Sequence, residues 1–158
     1  MKTNILAFGT LSEAYWKSAQ AEYVRRLAPL WQLTVTELQE VRLPATPSAG
    51  EIRAALAREA ELMRSKIPAR SYTVALCVKG KSIGSEELSA LMVRAADTHP
   101  AVTFLIGSSY GMDETLEKEA DFRLSLSALT MPHQLARVVL CEQIYRAAMI
   151  AGGRTYHK

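Results

Sequence analysis

Apolar residues recur along this chain with two periods, and the alternation between them is the first thing the sequence dictates. Asn4 to Phe8 (NILAF) is a short apolar run that stops at Gly9, the pattern of a buried strand. Trp16, Ala19, Tyr23 and Leu27 then repeat at three- and four-residue spacing. That puts them on one face of a helix that starts near Ser12, a residue able to cap it, and ends by Pro29. Gln32 to Leu38 alternates as a second strand, and Ser48 followed three residues later by Glu51 is a capping box. Ile52, Ala55, Leu56, Leu62 and Met63 mark one face of the helix it opens, which runs to about Lys66.

In the second half the strand signals become continuous. Tyr72 to Val78 and Ala101 to Ile106 are unbroken apolar runs of strand length, as in parallel strands covered on both faces. The first is expected to end in a basic turn, Lys79, Gly80, Lys81, with a helix from about Ser85 to Thr98 before the second. Gly107 to Gly111 then leads into a short acidic helix capped by Asp113, and Phe122 to Leu126 makes the last strand. At Pro132, suited to a first helical turn, a helix begins whose apolar residues run almost all the way round. Only a buried or interface helix tolerates that.

Strands alternating with helices predict an α/β fold, a three-layer sandwich with a mostly parallel sheet. Only Val41 to Ala49, with Pro44 and Pro47, reads as a loose loop. The 158 residues fit one domain, 1–158, and 49% hydrophobic with 22% charged residues is the composition of a folded globular chain. No apolar stretch approaches the ~18 residues of a spanning helix, and no signal-peptide pattern opens the chain. The expectation is a cytoplasmic protein with no membrane partner. Cys77 and Cys141 lie far apart in apolar runs and read as buried free thiols. His99, His133 and His157 lack metal-ligand spacing, so no metal is expected. The net charge of +3 is mild, but beyond Glu142 the chain has no acid while Arg146, Arg154, His157 and Lys158 remain, a distribution suited to a polyanion.

Ligands of parallel sheets gather outside the carboxyl ends of the strands. Three such ends stand out: Leu76 to Lys81, Gly107 to Gly111, and Leu126 to His133. The first strand ends in a single glycine, and neither G-x-G-x-x-G nor G-x-x-x-x-G-K-[ST] occurs, which argues against a dinucleotide fold and a nucleoside triphosphatase. The loop from Leu126 to Met131, held between a strand and a helix, offers unused backbone groups beside apolar walls, as a small-molecule pocket does. His133 and Arg137 are four apart on one helix face, so two donor groups point the same way. Glu142 and Arg146 repeat the spacing as an ordinary salt bridge.

The run LSALTMPHQLARVVLCEQIYRA, the terminal GGRTYHK, the opening NILAFGT and the pair Gly80, Lys81 together resemble the RlmH-type enzymes of the SPOUT superfamily, over essentially the whole chain. These are bacterial methyltransferases acting on N3 of a pseudouridine in 23S ribosomal RNA. The resemblance implies a SPOUT-type α/β-knot, with a C-terminal trefoil knot over about 72–151 and a substrate tail at 152–158. It implies S-adenosyl-L-methionine as cofactor, a homodimer, and ribosomal RNA in the large subunit or assembled ribosome as partner. Carried over residue by residue, the cofactor positions are Leu76, Gly107, Leu126, Ser127, Ala128, Leu129, Thr130 and Met131. The candidate catalytic residues are His133 and His157 as proton acceptors, with Arg137 and Arg154 holding phosphate or base. Arg154, Tyr156, His157 and Lys158 form the RNA-binding tail, with Tyr156 stacking on the base.

One position departs from the family: the usual second glycine after Ile106 is Ser108 here. A serine is tolerated if the chain only turns there, and costs affinity if a positive φ or contact with the cofactor is needed. Rival readings are a non-catalytic ribosome- or RNA-binding protein, a SPOUT enzyme acting on another RNA, and a flavodoxin-like nucleotide binder, against which the missing phosphate loop speaks.

Overall fold

Alternate residues of the first strand serve two different cores. In a computed structural model, which describes residues 1–156, β1 (Lys2–Phe8) points Ile5 and Ala7 to one side of the sheet and Leu6 and Phe8 to the other. The larger core lies under three helices, α1 (Ala14–Leu27), α3 (Ser85–Thr98) and α5 (His133–Ala151). The smaller lies under α2 (Ala49–Lys66) and the short α4 (Glu114–Glu119). This is the expected three-layer sandwich.

The five strands are β1, β2 (Gln32–Leu38), β3 (Tyr72–Ser82), β4 (Val102–Ile106) and β5 (Phe122–Ser125), in the order β2-β1-β4-β3-β5. Every pairing is parallel. Strand β4 is inserted between β1 and β3 and is buried at all five positions, which explains why its sequence shows no alternation.

Three boundaries differ from expectation. The basic turn at Lys79 to Lys81 belongs to β3, which pairs with β5 again after a register shift, both Leu76 and Lys81 standing opposite Leu124. Gly80 permits this: a Cβ there would stand 2.7 Å from the carbonyl carbon of Leu124 and 2.8 Å from the Arg123 carbonyl oxygen. Ser12 does not cap α1, whose N-cap is Glu13; its amide and hydroxyl donate instead to Gln134 Oε1 at 2.8 and 3.2 Å. Pro132 is the N-cap of α5 rather than its first helical residue. The capping box at Ser48 and Glu51 and the Asp113 cap of α4 form as read from the sequence.

Helix α5 packs against both α1 and α3. Arg137, Leu140, Cys141, Ile144, Ala147 and Ala148 are its buried stripe, and no residue from His133 to Ile150 is fully exposed. Cys141 is a buried free thiol as expected, whereas Cys77, also free, is only half-buried. Among the described residues no helix is long and apolar enough to cross a membrane.

Candidate functional site

The carboxyl ends of β3, β4 and β5 surround a cavity of about 500 Å³. Leu76, Cys77 and Val78 form one wall, Ile106, Gly107 and Ser108 a second, and Leu126, Ser127, Leu129 and Met131 a third, with His133 and Ala136 of α5 closing it. All three strand ends singled out in the sequence therefore meet at one place. Ala128 and Thr130 belong to the same loop but do not line the cavity. The loop braces itself: Ser125 Oγ donates to the Ser127 carbonyl at 2.9 Å, and the Leu129 amide donates to Ser127 Oγ at 3.0 Å. Leu129 is 78% exposed at the rim.

Gly107 is fixed by contact rather than by torsion. A Cβ there would stand 2.3 Å from the carbonyl oxygen of Gly111, which no real structure accommodates without moving backbone. The turn behind it is closed by two hydrogen bonds, Ser108 N–H to Gly111 O and Gly111 N–H to Ser108 O, both 2.9 Å. Among the described residues the only non-glycine with positive φ is Arg70, so Ser108 sits in ordinary backbone. Its hydroxyl donates to the buried Glu59 at 2.7 Å. The serine thus fills its place in this chain without strain.

Lys79, within the strand end singled out in the sequence, lines the cavity together with Glu114, Glu117 and Arg123, which came from no motif. Burial pushes the Glu117 carboxyl above its ordinary range, with Arg123 pulling it part-way back. Burial also raises the Cys77 thiol, so it lines the wall as a neutral group. Glu40 Oε1 and His133 Nε2 would lie 3.2 and 3.7 Å from a Cβ on Gly9, so a carboxylate and an imidazole flank one point of backbone. Glu40 follows β2 and gave no signal in the sequence, because only the parallel pairing of β2 with β1 brings it there.

Arg137 does not line the cavity, and the expectation that it holds phosphate or base is corrected. Its side chain has no exposure, and its guanidinium donates to Glu37 at 2.5 Å and to the carbonyl oxygens of Phe8 at 3.3 Å and Gly9 at 2.8 Å. It ties α5 to the ends of β1 and β2. Arg154 is exposed beyond the other end of α5, and Tyr156 lies against that helix. The guanidinium of Arg146 sits 4.7 Å from the Tyr156 ring centre, Tyr145 meets it edge-on, and its hydroxyl donates to Glu142 at 3.3 Å. The expected Glu142–Arg146 bridge is present at 2.7 Å. His157 and Lys158, both assigned to the tail, lie outside the described residues.

A family model described as "Predicted SPOUT methyltransferase" matches residues 1–157. The chain belongs to the SPOUT methyltransferase family. Full-length relatives carry the name "Ribosomal RNA large subunit methyltransferase H": one from Streptococcus suis (strain 05ZYH33) is 40% identical and one from Streptococcus pyogenes serotype M5 (strain Manfredo) 39%. A third, from Streptococcus equi subsp. zooepidemicus (strain MGCS10565), is 37% identical, and in all three the match covers 100% of both chains. A solved structure of "a probable methylase family protein from Haemophilus influenzae Rd KW20" superposes with a TM-score of 0.53 at 12% identity, covering 99% of this chain and 70% of that one. That likeness concerns the fold alone. Membership of a SPOUT methyltransferase family implies a methyl donor.

Proposed function

We propose that this chain methylates ribosomal RNA of the large subunit, using S-adenosyl-L-methionine and acting on N3 of a pseudouridine. The observation that carries the reading is the convergence of the ends of β3, β4 and β5 on one cavity, in a chain that matches the named relatives over its full length. Its fit to the donor can be judged from its walls. Leu76, Leu126 and Met131 offer aliphatic surface for a flat base, and Gly107 lines the wall beside them, held there by its close contact with Gly111. Volume and wall chemistry are those of a small-molecule site. When bound, the donor supplies an activated methyl group, so the protein's task is alignment and removal of one proton.

The chain's residues divide that task. Leu76, Gly107 and residues 126–131 bind the donor. His133, on the cavity wall at the first turn of α5, accepts the imide proton of the target base, with His157 as the alternative acceptor. Arg154 and Tyr156, with Lys158, hold the RNA. Arg137 contributes by fixing α5, and therefore His133, against the sheet.

The homodimer belongs to this reading. His133 and Arg154 stand at opposite ends of a 19-residue helix, about 28 Å apart along its axis, so the tail of one chain cannot complete its own cavity directly. The half-buried Leu135, Val138, Val139, Met149 and Ile150 give α5 a second apolar face for a partner copy. The C-terminal trefoil knot, over about 72–151, also belongs here. It rests on the chain's membership of the SPOUT methyltransferase family.

The test is tritium transfer from labelled S-adenosyl-L-methionine to ribosomal particles from a strain lacking its own enzyme of this kind, followed by mapping of the labelled nucleotide. Label at N3 of a pseudouridine in the large-subunit RNA is expected. Label on a different RNA overturns the substrate, and no label together with no donor binding by calorimetry overturns the enzyme reading.

A further inference from the structure

Glu59 lies in the interior of α2, only 4% exposed, and among the described residues no cation pairs with it. A carboxylate in that position is costly unless its oxygens are hydrogen-bonded. Both are. Oε1 accepts from the backbone N–H of Val41 at 2.9 Å, and Oε2 accepts from the Ser108 hydroxyl at 2.7 Å. The two donors come from segments that are otherwise unrelated. Val41 begins the proline-containing loop between β2 and α2, and Ser108 belongs to the turn between β4 and α4.

Ser108 has a further property: it lines two cavities. On one side is the 500 Å³ cavity, and on the other a second of about 380 Å³ walled by Glu40 to Pro44, by Ile52, Ala55, Leu56 and Glu59 of α2, and by Tyr110. The Glu59 carboxylate and the Ser108 hydroxyl are thus the partition between them. The turn has no slack, because Gly111 O already stands where a Cβ on Gly107 would be. A displacement of Ser108 is therefore transmitted to Gly107 and to the donor-side wall.

We propose that Glu59 is a positioning residue: through Ser108 it sets the Gly107 to Gly111 turn against the bound donor, and through Val41 it ties the 39–48 loop to the same point. Occupancy of the 500 Å³ cavity and ordering of that loop are then coupled. This rests on the donor-binding reading of that cavity. It also assigns Ser108 a role that glycine could not fill, since glycine would leave one oxygen of a buried carboxylate without a donor.

The test uses the full chain and two readouts, calorimetric binding of S-adenosyl-L-methionine and hydrogen exchange at the Val41 amide. Ser108→Ala is expected to weaken donor binding about tenfold, the scale of one buried hydrogen bond to a charged group, and to speed exchange at Val41. Ser108→Thr keeps the hydroxyl and restores both. In a double-mutant cycle, Glu59→Gln added to Ser108→Ala is expected to lose much less than the sum of the two single changes. Donor addition to the unaltered chain slows exchange at Val41. A lowered Tm with donor affinity and Val41 exchange both unmoved would mean a merely structural bond and overturns the proposal. An unaltered chain that fails to bind the donor overturns the cofactor reading instead, and Val41 exchange in Ser108→Ala then decides the coupling, an unchanged rate ending it.

Discussion

Strands β1 and β4 lie side by side, run parallel and each end in a glycine, yet one of these ends is filled and the other is open. At the end of β1 a buried guanidinium occupies the space, taking the carbonyls of Phe8 and Gly9 and the carboxylate of Glu37. At the end of β4 the space is bounded by aliphatic side chains and by a turn tied to itself and to Glu59. The end of a parallel strand presents polar backbone that must be satisfied by something. Where the protein supplies the partner it gains an anchor, and where it does not it keeps a cavity. The two are linked through α5, because Arg137 locks at the filled end the helix that carries His133, one turn earlier, to the open one.

The comparison breaks most severely if the anchor is removed. Arg137→Met leaves Glu37 and two strand-end carbonyls without their donor, and we expect a loss of about 3 kcal/mol in urea unfolding, because half-exposed Glu37 can recover water. Glu37→Gln keeps a hydrogen-bond acceptor and should cost about 1 kcal/mol. A loss below that for Arg137→Met would show that the filled end is not an anchor.

At the open end the expected defects reach methyl transfer and donor binding as well as folding. With His133 and His157 both changed to alanine, single-turnover methyl transfer should fall by about 100-fold or more while donor binding by calorimetry stays the same. Unchanged transfer removes both from the role of proton acceptor. Gly107→Ala forces its Cβ into Gly111 O and should cost about 1 to 3 kcal/mol of stability and most of the donor affinity. Wild-type affinity in that variant would place the donor elsewhere.

The smallest effect is a pH dependence beneath the filled end. Burial pushes the Cys141 thiol from its ordinary 9.0 up to about 12, with Arg137, one turn away, pulling it part-way back. Because the folded value is the higher, the stabilisation is complete below pH 9 and is lost as pH rises from there towards 12. We expect a loss of about 1 kcal/mol by pH 10, absent in Cys141→Ala. Equal slopes in the two proteins would show that other groups govern that range.

Much of this arrangement was legible before any coordinates. Apolar runs, one alternating segment, helical spacing and caps placed all five strands and five helices, and the unbroken runs identified β3 and β4 as covered on both faces. Lys79 to Lys81 misled because basic residues round a glycine look like a turn, whereas Gly80 is there to let β5 approach. Ser12 had the chemistry of a cap, but Gln134 from the far end of the chain claimed it. Arg137 was placed on the right face of α5 and given the wrong neighbour, since helical spacing tells which residues share a face and not what that face meets.

What the sequence determined by itself was everything that depends on neighbours in the chain: element types, the capping box at Ser48, the all-round apolar helix and the three loops at strand ends. The motifs shared with the family also lie in the sequence, and they marked Gly107, Leu126, Ser127, Leu129 and Met131, which line the cavity, together with Ala128 and Thr130, which do not. What only the tertiary structure decided are the pairings between distant residues: Arg137 with Glu37, Ser108 with Glu59, Ser12 with Gln134. The reason is physical. A hydrogen bond within a helix turn has its geometry fixed by local dihedrals, but a buried charge is satisfied by whichever donor or acceptor the packed layers bring within about 3 Å, and that is set by the whole fold at once.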